Sequence, residues 1–296
     1  MANTSASRWQ RWWPFVLLCL LATLRWTLID SVPALLSTSV SETIGCGSAC
    51  LLALSVSVLR RSQSPRVADV LQIAIAGAMM LGGPLVALML SAHWVDGSDI
   101  TISLAIVPVV VAVSRPVFRP TEGAALAGRM WPGIVAITGM LLVLPQPMLG
   151  SWRAYCLLAA APLVTGVGAA WFRSCGGGKA WRSTIGLGAV TVVFGTKLVL
   201  GGQAMWHTVP AGWSAAAFDG ALALLGAMSV LRLGATRWSA QFVLVPLAVM
   251  AFSLAAFLPR LDTRLLCGLG LMMLASVFLL LPPKTEEVGY VKFPSQ

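Results

Sequence analysis

The sequence predicts an all-α polytopic membrane protein, with ten transmembrane helices as two inverted five-helix repeats. Three observations carry that expectation: a composition too apolar for water, a succession of span-length apolar runs, and landmarks that recur between the two halves. The chain has 296 residues, 58% of them hydrophobic and 10% charged, with a mean hydropathy of +0.86. A soluble domain carries about 25% charged residues. With so few charges the chain cannot cover a water-facing surface, which excludes a soluble globular enzyme. A span takes ~20 apolar residues, so this length accommodates about ten helices. A transmembrane barrel would show ~10-residue alternating segments. Leu104–Val113 and Phe242–Phe257 are instead almost continuously apolar, which favours helices.

Taken in order, the expected spans are 12–30, 41–59, 68–92, 99–118, 124–144, 151–172, 184–206, 213–232, 237–258 and 264–282. The first follows Arg8 and Arg11 and holds the apolar run Pro14–Leu24. Arg25 and Trp26 come next rather than a small-residue cleavage site, so this is an uncleaved span and not a signal peptide. Ser, Thr and Gly dilute the second. The remaining eight are bounded by polar punctuation, Gly-Pro pairs or basic turns.

An even number of spans places both termini on one side. Arg8, Arg11, Arg60, Arg61, Arg66, Arg115, Arg119, Arg129, Arg173, Lys179, Arg182, Arg232, Arg237, Lys284 and Lys292 all fall on that side. The other side holds only Arg153, Arg260 and Arg264, together with Asp30, Glu42, Asp96, Asp99 and Asp262. Basic residues collect in cytoplasmic loops, so both termini are expected in the cytoplasm of an inner or plasma membrane protein. The net charge of +10 is then a topological signal and not a nucleic-acid footprint. The Asn3-Thr4-Ser5 sequon would be silent there.

A duplication follows from two landmarks. Ile100–Val113 and Trp238–Ala251 align on Pro108 and Pro246, and each leads through a basic turn into a glycine-bearing helix ending in Leu-Pro. Gly133 then pairs with Gly270, and Leu144-Pro145 with Leu281-Pro282, at nearly the same spacing. The halves are 12–145 and 151–282, followed by a cytoplasmic tail, 283–296. Five spans per half force the second half to insert upside down, the inverted-repeat arrangement of carriers that alternate access around a midplane site.

Asp99–Val113 and Ala235–Ala256 resemble the fourth and ninth helices of the EamA-type branch of the drug/metabolite transporter superfamily. Each joins small residues to an apolar helix with a central proline. Leu258–Leu281 is similar to that family's acidic turn and glycine-bearing last helix, although Pro259-Arg260-Leu261-Asp262 stands where Gly-Glu is usual. Pro120-Thr121-Glu122 is the nearest match in the first half. The resemblance implies an inner-membrane secondary transporter, an exporter more than an importer, moving a small organic metabolite such as an amino acid or amphipathic compound. The alternative it implies is a translocase of lipid carriers or lipid-linked groups.

Charges within spans mark the candidate substrate-binding residues, because each costs ~2.5–3.5 kcal/mol at a helix centre. Lys197 and Asp219 lie on consecutive spans, roughly 13 and 9 Å from the same surface at ~1.5 Å per residue. They are expected either to pair or line one cavity, or else to snorkel and to sit at the interface. Arg25 could read a carboxylate or phosphate, against a structural pairing with Asp30 or Glu42 or outward snorkelling. Trp26, Trp94 and Trp171 are candidates for an aromatic cavity wall. Trp9, Trp12, Trp13, Trp152, Trp181, Trp206, Trp213 and Trp238 lie near helix ends and fit the interfacial belt. Pro108 and Pro246 are the candidate hinges. Gly82-Gly83-Pro84 and Gly201-Gly202 loosen their helices or permit close packing, and Gly77 and Gly226 serve packing.

His93 and His207 read first as loop histidines, with proton coupling as the alternative. Five of the cysteines Cys19, Cys46, Cys50, Cys156, Cys175 and Cys267 lie in apolar runs and behave as small hydrophobes. Cys46 and Cys50 share a helix face without a completing metal ligand, so no metal, disulfide framework or cofactor is expected. Cys175-Gly176-Gly177-Gly178-Lys179 lacks the spacing of a phosphate loop and reads as a cytoplasmic connection. No His, Asp or Glu cluster at catalytic spacing is present, so the chain reads as a non-enzyme. Its expected partners are a small-molecule substrate and membrane lipids, and a homodimer is compatible with the reading.

Overall fold

The computed structural model describes residues 3–28, 38–62, 64–86, 97–118, 126–144, 152–200, 209–257 and 262–281. Among the described residues every element is helical. The order is α1 (Asn3–Leu28), α2 (Ser39–Leu59), α3 (Val67–Gly77, continued by a π turn at Ala78–Gly82), α4 (Gly97–Leu104), α5 (Val107–Phe118) and α6 (Leu126–Val143). Then come α7 (Trp152–Ser174), α8 (Lys179–Leu200), α9 (Val209–Leu233), α10 (Ala235–Ser239), α11 (Gln241–Phe257) and α12 (Thr263–Leu280).

Among the described residues eight helical stretches are long and apolar enough to cross a membrane, and Met130–Val143 is a shorter apolar helix. The eight run over Ser39–Leu59, Val67–Val86, Ser98–Phe118, Cys156–Ser174, Lys179–Leu200, Trp213–Leu233, Ala235–Leu254 and Thr263–Leu280. Arg11 and Arg25 dilute α1, which is not among them. The exterior is what a bilayer requires. Leu51, Leu52, Val192, Phe252 and Met273 are exposed, whereas Glu42, Asp219, Ser229 and Thr165 are buried. In lipid the backbone must satisfy itself, and these helices do so.

Apolar burial gains little when the solvent is lipid, so van der Waals packing and close backbone approach hold such bundles together. Glycines supply that approach. A Cβ on Gly77 would lie 2.4 Å from Gly186 Cα, so α3 and α8 cross in backbone contact. A Cβ on Gly139 would lie 2.8 Å from the Gly268 carbonyl oxygen, so α6 and α12 do the same. Helix α2 packs between α8 and α9, α1 against α9 and α11, and α7 against α3, α4 and α5. The expected halves therefore interlock, since α1, α2, α3 and α6 each pack on helices of the second half.

Three spans are irregular. The stretch from Gly97 to Phe118 breaks between α4 and α5, at Ala105 and Ile106. Pro108 is the second residue of α5, in the first turn, where its missing N–H costs nothing. It is therefore located at a genuine discontinuity. Pro246 lies instead in the body of α11, and the break in that stretch falls at Ala240. The paired prolines thus occupy different local structures. Gly133 and Gly270 differ too: a Cβ on Gly133 would lie 2.5 Å from Val109 Cγ2, but one on Gly270 meets nothing within 4 Å. The third irregularity is the π turn, which directly precedes Gly83 and Pro84. Pro84 removes the N–H that would bond Met80, and a widened turn absorbs the mismatch.

One end of the bundle gathers the basic residues. There Arg182 donates to the carbonyls of Arg173 (3.3 Å) and Cys175 (3.0 Å), Arg173 to that of Leu231 (3.2 Å), and Arg232 to that of Gln10. Arg182 and Arg173, which sequence reading assigned to topology, thus also cap the C-termini of α7 and α9, where carbonyls carry partial negative charge.

Candidate functional site

The site lies toward the end of the bundle opposite the basic one, where α1, α2 and α9 meet. Arg25 comes from the last turn of α1, Ser41 and Glu42 from the first turn of α2, and Asp219 from the eleventh position of α9. Local sequence explains how α2 arrives. Thr38 is its N-cap, and Thr38 and Ser41 form a reciprocal capping box. The Ser41 N–H donates to Thr38 Oγ1 (3.1 Å), and the Thr38 N–H donates to Ser41 Oγ (2.8 Å). Capping fixes the Ser41 hydroxyl, whose oxygen lies 2.9 Å from Asp219 Oδ2 and 3.0 Å from the Thr38 carbonyl oxygen, the two acceptors within reach of its proton. One side chain thus both starts the helix and holds the site.

Asp219 Oδ1 accepts from Arg25 Nη1 in a buried ion pair. Arg25 is 7% exposed, Asp219 2% and Glu42 0%. Cys46 Sγ lies 4.0 Å from Glu42 Oε2, one turn along the same face of α2. Two glycines bring the pieces together. A Cβ on Gly45 would lie 2.4 Å from the Ala216 carbonyl oxygen and 3.1 Å from Asp219 Cβ. One on Gly220 would lie 2.5 Å from the Gly45 carbonyl oxygen. Without side chains at 45 and 220, α2 and α9 touch, and the carboxylate beside Gly220 meets the hydroxyl one turn before Gly45.

An ion pair in a low-dielectric interior survives only when hydrogen bonds satisfy its remaining lone pairs. Asp219 has a guanidinium on one oxygen and a hydroxyl on the other. Chemically the cluster offers a fork of N–H donors, a hydroxyl and two carboxylates on three separate helices. It suits recognition of a charged or zwitterionic group. Among the described residues no group of three His, Cys, Asp or Glu side chains could hold a metal ion.

Of the residues singled out in the sequence, the structure unites Arg25 and Asp219. Trp26, half-buried, is the next residue on α1. The partner found for Asp219 is Arg25, from a helix that sequence proximity did not link to it. Lys197, expected either to pair or line one cavity with Asp219 or else to snorkel, is exposed near the end of α8. Trp171 stacks on Phe118 with ring centroids 5.9 Å apart and planes 5° from parallel, close to Arg173 at the basic end. It does not belong to the cluster. Trp94, His93, His207, Asp30 and the tail 283–296 lie outside the described residues. Sequence reading did not place Ser41 or Glu42 in the substrate-binding set. The usable signal was Glu42 itself, a carboxylate in the first turn of an expected span.

No family model matches the sequence, and neither does any curated protein. One solved structure, described only as the crystal structure of a protein, has a similar fold, with a TM-score of 0.64 and 11% identity. The likeness covers 89% of this chain and 95% of that one, so an architecture of this kind extends over nearly the whole molecule.

Proposed function

We propose that this chain is a secondary transporter of a small organic solute, with the Arg25–Asp219–Ser41–Glu42 cluster as its recognition site. The observation that carries the reading is a desolvated ion pair joining helices α1 and α9, one from each expected half. Buried ionisable residues in a membrane bundle are expensive and mark substrate or ion pathways. Support also comes from the breaks flanking Ala105 and Ala240 and from the π turn, since irregular backbone at membrane depth accompanies cavities. In this reading ten spans form two inverted five-helix repeats of the EamA-type architecture. Both termini lie in the cytoplasm, and solute moves outward by alternating access. A charged solute group competes for Arg25, opening the pair with Asp219, and no covalent chemistry is performed.

The test is flux in proteoliposomes, screened across amino acids, nucleobases and cationic amphiphiles, with and without a pH gradient. Wild-type protein is expected to move at least one class. Arg25→Gln or Asp219→Asn is expected to lower that flux by about tenfold or more, as removal of a charged hydrogen-bond partner does. No flux of any class, together with no lipid flipping, would refute the proposal.

A further inference from the structure

The basic end of the bundle is more than a collection of topogenic charges. The guanidinium-to-carbonyl bonds of Arg182, Arg173 and Arg232 tie the ends of α8, α7, α9 and α1 into one corner. Lys179, exposed at the start of α8, lies within electrostatic range of Arg11, Arg173, Arg182 and Arg232, and Arg232 within range of Arg60. Among the described residues the carboxylate identified in this corner is Asp69, beside Cys175 and Gly176. Cations gathered in one corner attract an anion, and clustered Arg and Lys suit a phosphate.

Two further observations choose the source of that phosphate. Tryptophans frame the corner: Arg232 lies 5.4 Å from the Trp13 ring centroid, and Trp181 Nε1 donates to the Ser62 carbonyl at 3.1 Å. Trp9 is exposed on the turn before Trp13. Such residues sit at headgroup depth. Beneath Trp13 on the same face of α1 run Leu17, Leu20 and Leu24, all exposed at helical spacing. Arg232, against Trp13, stands at the head of this lane, so a phosphate that it holds continues into the lane as an acyl chain does.

We propose that this corner holds an anionic phospholipid, its phosphate against Arg11, Lys179 and Arg232 and its acyl chain along Leu17, Leu20 and Leu24. The inference rests on the membrane-spanning reading but not on transport.

The test is native mass spectrometry of the full chain in neutral detergent, supplied with phosphatidylglycerol or phosphatidylcholine. Wild-type protein is expected to retain phosphatidylglycerol preferentially. Arg11→Gln with Lys179→Gln removes two exposed cations and is expected to weaken that retention roughly 25-fold, about fivefold for each. Arg11→Lys with Lys179→Arg keeps both charges and is expected to keep the preference, which separates lost charge from lost folding. Arg153→Gln, in the first turn of α7 at the opposite end, is expected to change nothing. Equal retention of the two lipids overturns the proposal, as does an undiminished preference in the double Gln variant or an equal loss in Arg153→Gln. Displacement of the lipid by millimolar inorganic phosphate would assign the corner to a free anion and also overturn it. No readout here involves flux, so failure of this proposal and failure of the transport proposal are distinguishable.

Discussion

At the scale of single residues, the Arg25–Asp219 pair separates stability from function. Arg25→Met leaves the Asp219 carboxylate buried without its cation. The expected cost is about 3–5 kcal/mol, read as a shift in the denaturation midpoint in detergent. Removing both charges with Arg25→Met and Asp219→Leu is expected to recover most of that stability while leaving transport abolished. If the double variant is as unstable as the single one, the pair is not the unit described. Gly45 permits a sharper contrast. Gly45→Ala places a methyl 2.4 Å from the Ala216 carbonyl oxygen, forcing α2 away from α9. The expected loss is roughly 1–3 kcal/mol, as for overpacking in general. Gly195→Ala meets Thr43 Cγ2 at an ordinary 3.7 Å, and is expected to be neutral or to stabilise α8 by up to about 1 kcal/mol. At the basic end burial pushes the Cys175 thiol up, with Arg182 opposing and Asp69 reinforcing. A raised pKa lowers the thiolate fraction at neutral pH. Cys175 is therefore expected to react with water-soluble maleimide more slowly than a free thiol, and to quicken as pH rises.

At the scale of elements, the two central prolines are not equivalent. Pro108 occupies the first turn of α5, where no N–H is required, and the chain already breaks at Ala105–Ile106. Pro108→Ala is expected to leave that break open, with rapid amide exchange persisting at Val107. Pro246 stands inside α11, where its ring forbids the bond to the Phe242 carbonyl. Pro246→Ala is expected to close that gap and slow exchange across the turn. Hydrogen exchange in detergent reads both. If α5 anneals on loss of Pro108, the break is caused by the proline and not by the packing of α4 and α5 on α7. The sequence made the two prolines look alike because each stands in an apolar run. What distinguishes them is the neighbour: Ser103 on α4 donates to the Leu158 carbonyl of α7, a contact with no counterpart near Pro246 among the bonds of the described residues.

At the scale of the molecule, the proposed halves are intertwined. Helix α2 is enclosed by α8 and α9, and α6 crosses α12 at Gly139 and Gly268. Each half alone would expose these glycine seams and the members of the Arg25–Asp219 pair to lipid. Fragments 1–148 and 149–296 expressed separately are expected to be degraded or aggregated. Expressed together they are expected to co-purify as a stable complex, with a monodisperse elution profile as the readout. A stable, monodisperse single half would contradict the interlocked packing.

The sequence by itself determined the helical, bilayer-suited architecture. Composition and run length act locally, and an apolar run of ~20 residues has few other fates. Among the described residues the positions of eight membrane-length helices were legible for the same reason, as was the gathering of basic residues at one end. The tertiary structure decided the partners. Arg25 and Asp219 are 194 residues apart in the chain, and nothing in composition or periodicity links them. Their meeting depends on Gly45 and Gly220 allowing two backbones to touch, and the absence of a side chain leaves almost no trace in an apolar pattern. Ser41 was obscure for a related reason: its capping bond is local, but its bond to Asp219 exists only once α2 and α9 have crossed. Secondary structure in a membrane follows from solvent, which sequence encodes directly. A site follows from which helices approach closely, and that is settled only by packing.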